Sequence, residues 1–243
     1  MQHFDPHEIQ WTPEKSERLW NYISKRNPDY YSDLFGKDIL KRIIKKIGTF
    51  ENKTILDFGC GHAFFIDHLV SLKQKPKEYI GLDFSQDSID FLNTKKQTGT
   101  FEHSGVFVKS LPSQLEDCSV DICFLIEVIE HLDDSQLINT LAEVYRTLKP
   151  SGYLVITTPN SENLDLMKTM CPECGCIYHK YQHVRVLNEN SLRMVMYQSG
   201  YQKSIVTSAT FKPKNIKLKG YIKYYYNQIF NKNNKKLFGL FQK

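Results

Sequence analysis

The chain reads as an α/β protein on a doubly wound, mainly parallel sheet, with helices ahead of it and an insertion after its fifth strand. Three observations predict this. From Thr54 onward, short apolar runs alternate with amphipathic helical stretches. The runs lack polar alternation, which marks strands buried on both faces, as parallel strands are. With 243 residues, 41% hydrophobic and 24% charged, the chain can bury a full core of this kind.

The elements follow in order. Residues 1–13 read as irregular. Residues 14–47 place Leu19, Tyr22, Ile23, Leu40, Ile43, Ile44 and Ile47 at helical spacing, and breaks at Asn27-Pro28 and Gly36 divide them into two or three helices. TILDFGC from Thr54 is a first strand, AFFIDHLVSL from Ala63 a helix, and YIGLDF from Tyr79 a second strand. Ser85 can cap the next helix, which turns Ile89 and Leu92 to one face. GVFVKS from Gly105 and SVDICFLI from Ser119 are the third and fourth strands. Asp134 to Leu148 is a helix closed by Pro150 and Gly152, and GYLVITTP from Gly152 is the fifth strand. Asn188 to Ser199 is a helix, and YQKSIVTSAT from Tyr201 the sixth strand. Right-handed crossovers between such strands give a Rossmann-like sheet, which takes its ligands at the carboxyl ends of the strands. The chain divides into an N-terminal helical cap (1–49), a core (50–210) whose 160–187 insertion carries Cys and His, and a basic aromatic segment (211–243).

The longest apolar run is the five residues Ile122–Ile126, far short of the roughly 20 a membrane-spanning helix needs. The start, MQHFDPHEIQ, lacks the basic and apolar regions of a secretory signal. A cytoplasmic location is the expectation, with the six cysteines reduced. Charge is uneven. Net charge is +5, yet no acidic residue follows Glu189, and eleven Lys/Arg lie from Asn190 onward. That segment interleaves Lys with Tyr and Phe, including Tyr224 to Tyr226. It suits either stacking on nucleic acid or peripheral contact with an anionic membrane. The favoured expectation is a helix and closing strand whose aromatics pack on the sheet while Lys stems reach outward.

The first strand runs into Asp57-Phe58-Gly59-Cys60-Gly61, where the glycines permit a sharp turn and close approach of a ligand. The second strand ends in Asp83, whose carboxylate can accept both hydroxyls of a ribose. Together with the strand before and the helix after, these residues define a nucleoside site. The GxGxxG spacing of a dinucleotide site is absent, because Ala63 and two phenylalanines follow.

ILDFGCG, GLDFS, DICFLIEVIEHL and YRTLKPSGYLVITTPN as a set resemble the class I S-adenosylmethionine-dependent methyltransferases, over about residues 50–210. The nearest group is the ubiquinone O-methyltransferase-like small-molecule enzymes. The resemblance implies that Asp57, Gly59 and Gly61, with Cys60 in the same turn, hold the methionine end of S-adenosylmethionine. Asp83 would hold the ribose and Phe84 the adenine, with Ser110 and Leu111 in the loop after the third strand and Glu127 flanking the methionine. Where the family has a third glycine, this chain has Ala63, which tolerates helical geometry and can begin the helix.

Methyl transfer to a hydroxyl needs an aligned nucleophile and removal of its proton. Glu127-Val-Ile-Glu130-His131 follows the fourth strand, where an acceptor would lie. Glu130 and His131 are the candidate catalytic groups, either as a metal-free site with His131 as base or as ligands of Mg²⁺ or another divalent cation with Glu127. This ExxEH motif also resembles the metal site of enzymes that 2′-O-methylate small RNAs, which implies His183 as a fourth ligand, although the rest of that pattern is missing. Separately, Cys171, Cys174, Cys176 and His179 have zinc-knuckle spacing, and His179 with His183 is an alternative pairing. The expected activity is O-methylation of a small polar metabolite, phosphorylated or sugar-type. An RNA 2′-O-methyltransferase and a non-catalytic cofactor-binding partner subunit are the competing readings.

Overall fold

A computed structural model describes residues 5–26, 31–95, 101–214 and 235–243. In chain order these form β1 (His7–Glu8), α1 (Pro13–Arg26), α2 (Tyr31–Ile47), β2 (Thr54–Phe58), α3 (Phe64–Ser71), β3 (Glu78–Asp83) and α4 (Gln86–Thr94). There follow β4 (Glu102–Phe107), β5 (Val120–Ile126), α5 (Asp134–Thr147), β6 (Leu148–Pro159), β7 (Lys168–Met170), β8 (Cys176–His179), α6 (Glu189–Gln198), β9 (Lys203–Ala209) and β10 (Lys236–Gln242).

Seven strands form the main sheet in the order β4-β3-β2-β5-β6-β10-β9. The first five pair in parallel, and β10 runs antiparallel between β6 and β9. Successive side chains of a strand point to opposite faces, so each strand serves two cores. Ile55, Ile122, Phe124 and Val155 face α2, α3 and α4. Leu56, Phe58, Cys123 and Leu125 face α5 and α6. Strand order reverses between β2 and β5, and the carboxyl ends at that reversal are where such a sheet opens a crevice for ligand.

Helix starts follow local chemistry. Ser85 caps α4, its Oγ accepting the Ser88 N–H at 3.4 Å. Asp133 and Gln136 form a reciprocal capping box at the start of α5, and Asn188 and Ser191 do so for α6.

Three expectations are corrected, and the closing strand expected of the basic segment is found. The third parallel strand, β4, lies at Glu102–Phe107 rather than from Gly105, so its apolar face is only partly covered at the sheet edge. Ala63 does not begin α3 in helical geometry; it is the left-handed N-cap, φ 51° and ψ 44°, a conformation costing a residue with a Cβ about 1–2 kcal/mol. His7–Glu8 is a strand, paired in parallel with β8 in a second, three-stranded sheet β1-β8-β7. Of the basic segment, Lys236–Gln242 is β10, buried at its centre. Most of the Lys/Tyr-rich stretch, including Tyr224 to Tyr226, lies outside the described residues.

Gly81 sits on β3 where a Cβ would meet Leu92 Cδ1 at 2.3 Å and Cys60 Sγ at 2.9 Å. Gly81→Ala is expected to destabilise the fold by about 1–3 kcal/mol through overpacking, read as a lower denaturant midpoint. A midpoint equal to the parent's would contradict the packing of α4 on β3.

Candidate active site

The turn after β2 has little freedom. Gly59 has φ 77°, and a Cβ there would meet Val128 Cγ2 at 2.8 Å. Its N–H and that of Cys60 both point to the Leu82 carbonyl, at 2.7 and 3.2 Å. Gly61, φ 50°, donates its N–H to Asp83 Oδ2 at 2.9 Å. Asp83 Oδ1 accepts from the Ser85 N–H at 2.8 Å. One carboxylate thus ties the tip of β2 to the tip of β3, and each oxygen keeps a lone pair for a ribose hydroxyl. Burial pushes the Asp83 carboxyl upward, against the pull of the Ser85, Gly61 and Phe84 amides.

Asp57 lies beneath this turn, buried, and accepts a short hydrogen bond from the Tyr79 hydroxyl. Burial raises its carboxyl to about 7, the Tyr79 bond opposes the rise, and the Asp83 charge adds to it. Cys60 is buried and inward-facing. Phe84 is 43% exposed, with its ring 6.1 Å from that of Phe58, and presents an aromatic face beside Asp83. Ser110 is exposed, whereas Leu111 packs on the core beneath α5.

The second half of the site surrounds the end of β5. Glu127 has φ 54°, a strained value for a residue with a Cβ, and its N–H is fixed to the Thr157 carbonyl at 2.8 Å. Its Oε2 is ion-paired with Lys236. Because β10 is antiparallel, its first residue arrives at the carboxyl end of β6, opposite Pro159, and so reaches the site. Burial disfavours the Lys236 charge; Glu127, Glu130 and Glu162 outweigh it and hold the ammonium above its ordinary value.

A short 3₁₀ turn, Ile129–His131, presents Glu130 and His131. Glu130 is buried; its Oε2 accepts from the Thr158 hydroxyl at 3.0 Å and its Oε1 has no partner. Burial and then the neighbouring Glu127 drive the Glu130 carboxyl well up. His131 Nδ1 is buried and also unpartnered. Burial, then repulsion from His183, pushes this imidazole down to about 3, so its ring is neutral near pH 7. The Trp20 ring of α1 stands edge-on to it at 4.8 Å. The Trp20 indole N–H donates to Gln182 Oε1 at 2.7 Å, and Gln182 donates to Ser16 Oγ at 2.6 Å. Helix α1 therefore roofs this half of the site.

Ligand atoms of Glu130, His131 and His183 lie within 4.8 Å of one another. His183 Nδ1 is 2.5 Å from Glu162 Oε2. Burial opposes ionisation of Glu162, but the His183 bond outweighs it and keeps the carboxyl below its ordinary range. Glu162 is therefore an acceptor, and the proton between the two groups sits on His183 Nδ1. This carboxylate–histidine arrangement orients imidazoles for metals. Two imidazoles and one carboxylate, with two orphaned buried acceptors among them, fit a first-row divalent cation with open positions.

Two sequence expectations separate from this group. Glu127 joins Lys236 rather than the cluster of Glu130, His131 and His183. His179 is not beside Cys171, Cys174 and Cys176. In the extended β8, Cys176 and His179 are three residues apart and face opposite sides. The His179 ring stacks on His183 at 4.5 Å. Its Nδ1 accepts the Tyr181 and His183 amides at 3.3 and 3.0 Å, which puts its proton on Nε2, 3.8 Å from Glu162 Oε1. His179 braces His183, and the ligand atoms of Glu162, His179 and His183 also lie within 4.8 Å of one another. Sequence reading missed Lys236, Glu162 and Trp20. Of these, only Glu162 had a signal, as an acid just beyond the fifth strand.

A family model described as a methyltransferase domain matches residues 29–204, and the chain belongs to that family, within the class I S-adenosylmethionine-dependent methyltransferases. It is 26% identical over 151 residues to a probable S-adenosylmethionine-dependent methyltransferase of Mycolicibacterium smegmatis, covering 62% of this chain and 52% of that protein. It is 25% identical over 153 residues to the small RNA 2′-O-methyltransferase of Arabidopsis thaliana, covering 59% of this chain and 16% of that one. The chain thus spans about half, or less, of the length of these relatives. A crystal structure of a SAM-dependent methyltransferase from Aquifex aeolicus shares the fold, with TM-score 0.57 and 19% identity over 96% of this chain and 98% of that one.

The raised value of Asp57 has a consequence for stability. The folded chain retains this proton where the unfolded chain, with an aspartate near about 4, has lost it. The contribution is fully present below about pH 4 and is lost as pH rises through about 7. Asp57→Asn is expected to flatten the fall of unfolding free energy over that window in urea titrations. An unchanged slope would show that Asp57 is ionised in the fold.

Proposed function

We propose that the chain transfers the methyl group of S-adenosylmethionine to an oxygen of a small polar acceptor seated under α1, with a divalent cation held by Glu130, His131 and His183. The observation that carries this reading is that the glycine turn after β2, tied to Asp83, packs against Val128 at the end of the neighbouring β5, which presents the orphaned atoms Glu130 Oε1 and His131 Nδ1. The cofactor supplies a sulfonium-bound methyl, and the cation would lower the pKa of an acceptor hydroxyl.

The remaining work belongs to the chain. Gly59 and Gly61 allow the backbone to approach the cofactor, and Asp83 fixes its ribose. Glu127, braced by Lys236, flanks the methionine end. Glu162 holds the proton of His183 on Nδ1. Trp20 and Gln182 cover His131 and limit water, which favours a small acceptor over a long one. The likeness to a small RNA 2′-O-methyltransferase supports a second reading, in which the acceptor is a ribose 2′-hydroxyl of RNA.

Asp83→Ala is expected to weaken S-adenosylhomocysteine binding about 10- to 100-fold in calorimetry; an unchanged affinity would remove the ribose assignment. Labelled S-adenosylmethionine incubated with cell extract should place label in the small-molecule fraction. The transfer should fall at least about tenfold on chelation or in His183→Ala, with Mn²⁺ restoring the chelated enzyme. Label in the RNA fraction would select the second reading, and full transfer in chelator would remove the cation.

A further inference from the structure

The cysteine-rich turn lies outside the site just described. Cys171-Pro-Glu-Cys174-Gly-Cys176 joins β7 to β8. The Gly175 N–H donates to the Cys171 carbonyl at 2.9 Å, and the Cys171 N–H to the Cys176 carbonyl at 2.9 Å. The turn depends on Gly175, which has φ 75° and would bring a Cβ to 3.0 Å from the Asp5 carbonyl. The amides of Cys174 and Glu173 and the Cys174 thiol surround the Cys171 sulfur.

Strand register supplies the rest. Met170 opposes Ile177 in the β7–β8 ladder, so Cys171 opposes Cys176 one step further on and shares its face. On the other side of β8, the register partner of Cys176 is His7 of β1. His7, Cys176 and Cys171 therefore stand side by side across the three-stranded sheet, with Cys174 at the turn. The ring of His7 lies with Nδ1 3.1 Å from the Asp5 carbonyl. A carbonyl only accepts, so Nδ1 carries the proton and Nε2 is left as a donor to a metal.

We propose that Cys171, Cys174, Cys176 and His7 form a Cys₃His site for a soft divalent ion such as zinc, joining the N-terminal strand to the β7–β8 hairpin. The donor types and the C-x₂-C spacing are those of closed structural zinc sites. Among the described residues, no three of these ligand atoms lie within 4.8 Å of one another, so the site closes by side-chain rotation. His7 and Cys174 are exposed, with room to turn. The ion would hold the base of β8, whose far end carries His179 against His183. It shares no ligand with the Glu130, His131 and His183 group and does not depend on the acceptor assignment.

The test uses the full chain. Purified with zinc present, it is expected to hold one zinc that Cys171→Ser/Cys174→Ser loses and Glu130→Gln/His183→Ala retains. Cobalt in its place should give thiolate-to-metal charge-transfer absorption, and His7→Ala should weaken zinc binding by at least about tenfold. In the unaltered chain, added zinc should protect three of the six cysteines from thiol reagents. Zinc content unchanged in the double cysteine variant, cobalt absorption without thiolate bands, or no thiol protection would overturn the proposal.

Discussion

Everything in this site is arranged around one carboxylate. Asp83 holds the Gly61 amide on one oxygen and the Ser85 amide on the other. It thereby fixes the glycine turn of β2 against the start of α4. The turn cannot relax elsewhere, since Val128 closes the space over Gly59 and the Gly59 and Cys60 amides are committed to Leu82. Two neighbouring strand ends are thus held at a fixed distance, with a carboxylate and open backbone between them.

The acceptor half works by a different economy. Its carboxylates and imidazoles are crowded, and the chain settles each one separately. Lys236 neutralises Glu127, burial raises the Glu130 carboxyl, and Glu162 fixes the proton position on His183. His179 is fixed by two backbone amides and stacks on His183. What remains is a small group of buried acceptors without partners. Buried polar atoms are seldom left so, and strain, a catalytic role, a water or an ion are the explanations for those that are.

Much of this was legible in the sequence. The apolar runs marked β2, β3, β5 and β6, and the Gly59–Gly61 turn and Asp83, singled out by their residue types, are joined in the fold. Both signals are local, carried by residues adjacent along the chain. What was hidden depends on distant pairing. Lys236 lies 109 positions from Glu127 and reads as one more lysine of a basic segment until β10 inserts beside β6. His179 has metal-like spacing to Cys176, yet an extended β8 turns the two to opposite faces. His7 looked irregular because a two-residue strand has no periodicity to detect. Ala63 takes a left-handed cap that nothing but the tertiary turn imposes.

The most direct test of this account is a crystal structure of the chain with S-adenosylhomocysteine. Both ribose hydroxyls should lie on Asp83, with the amino-acid end between the Gly59–Gly61 turn and Glu127 and the sulfur directed toward His131. A nucleoside bound elsewhere on the sheet, or in this crevice with its ribose away from Asp83, would contradict it.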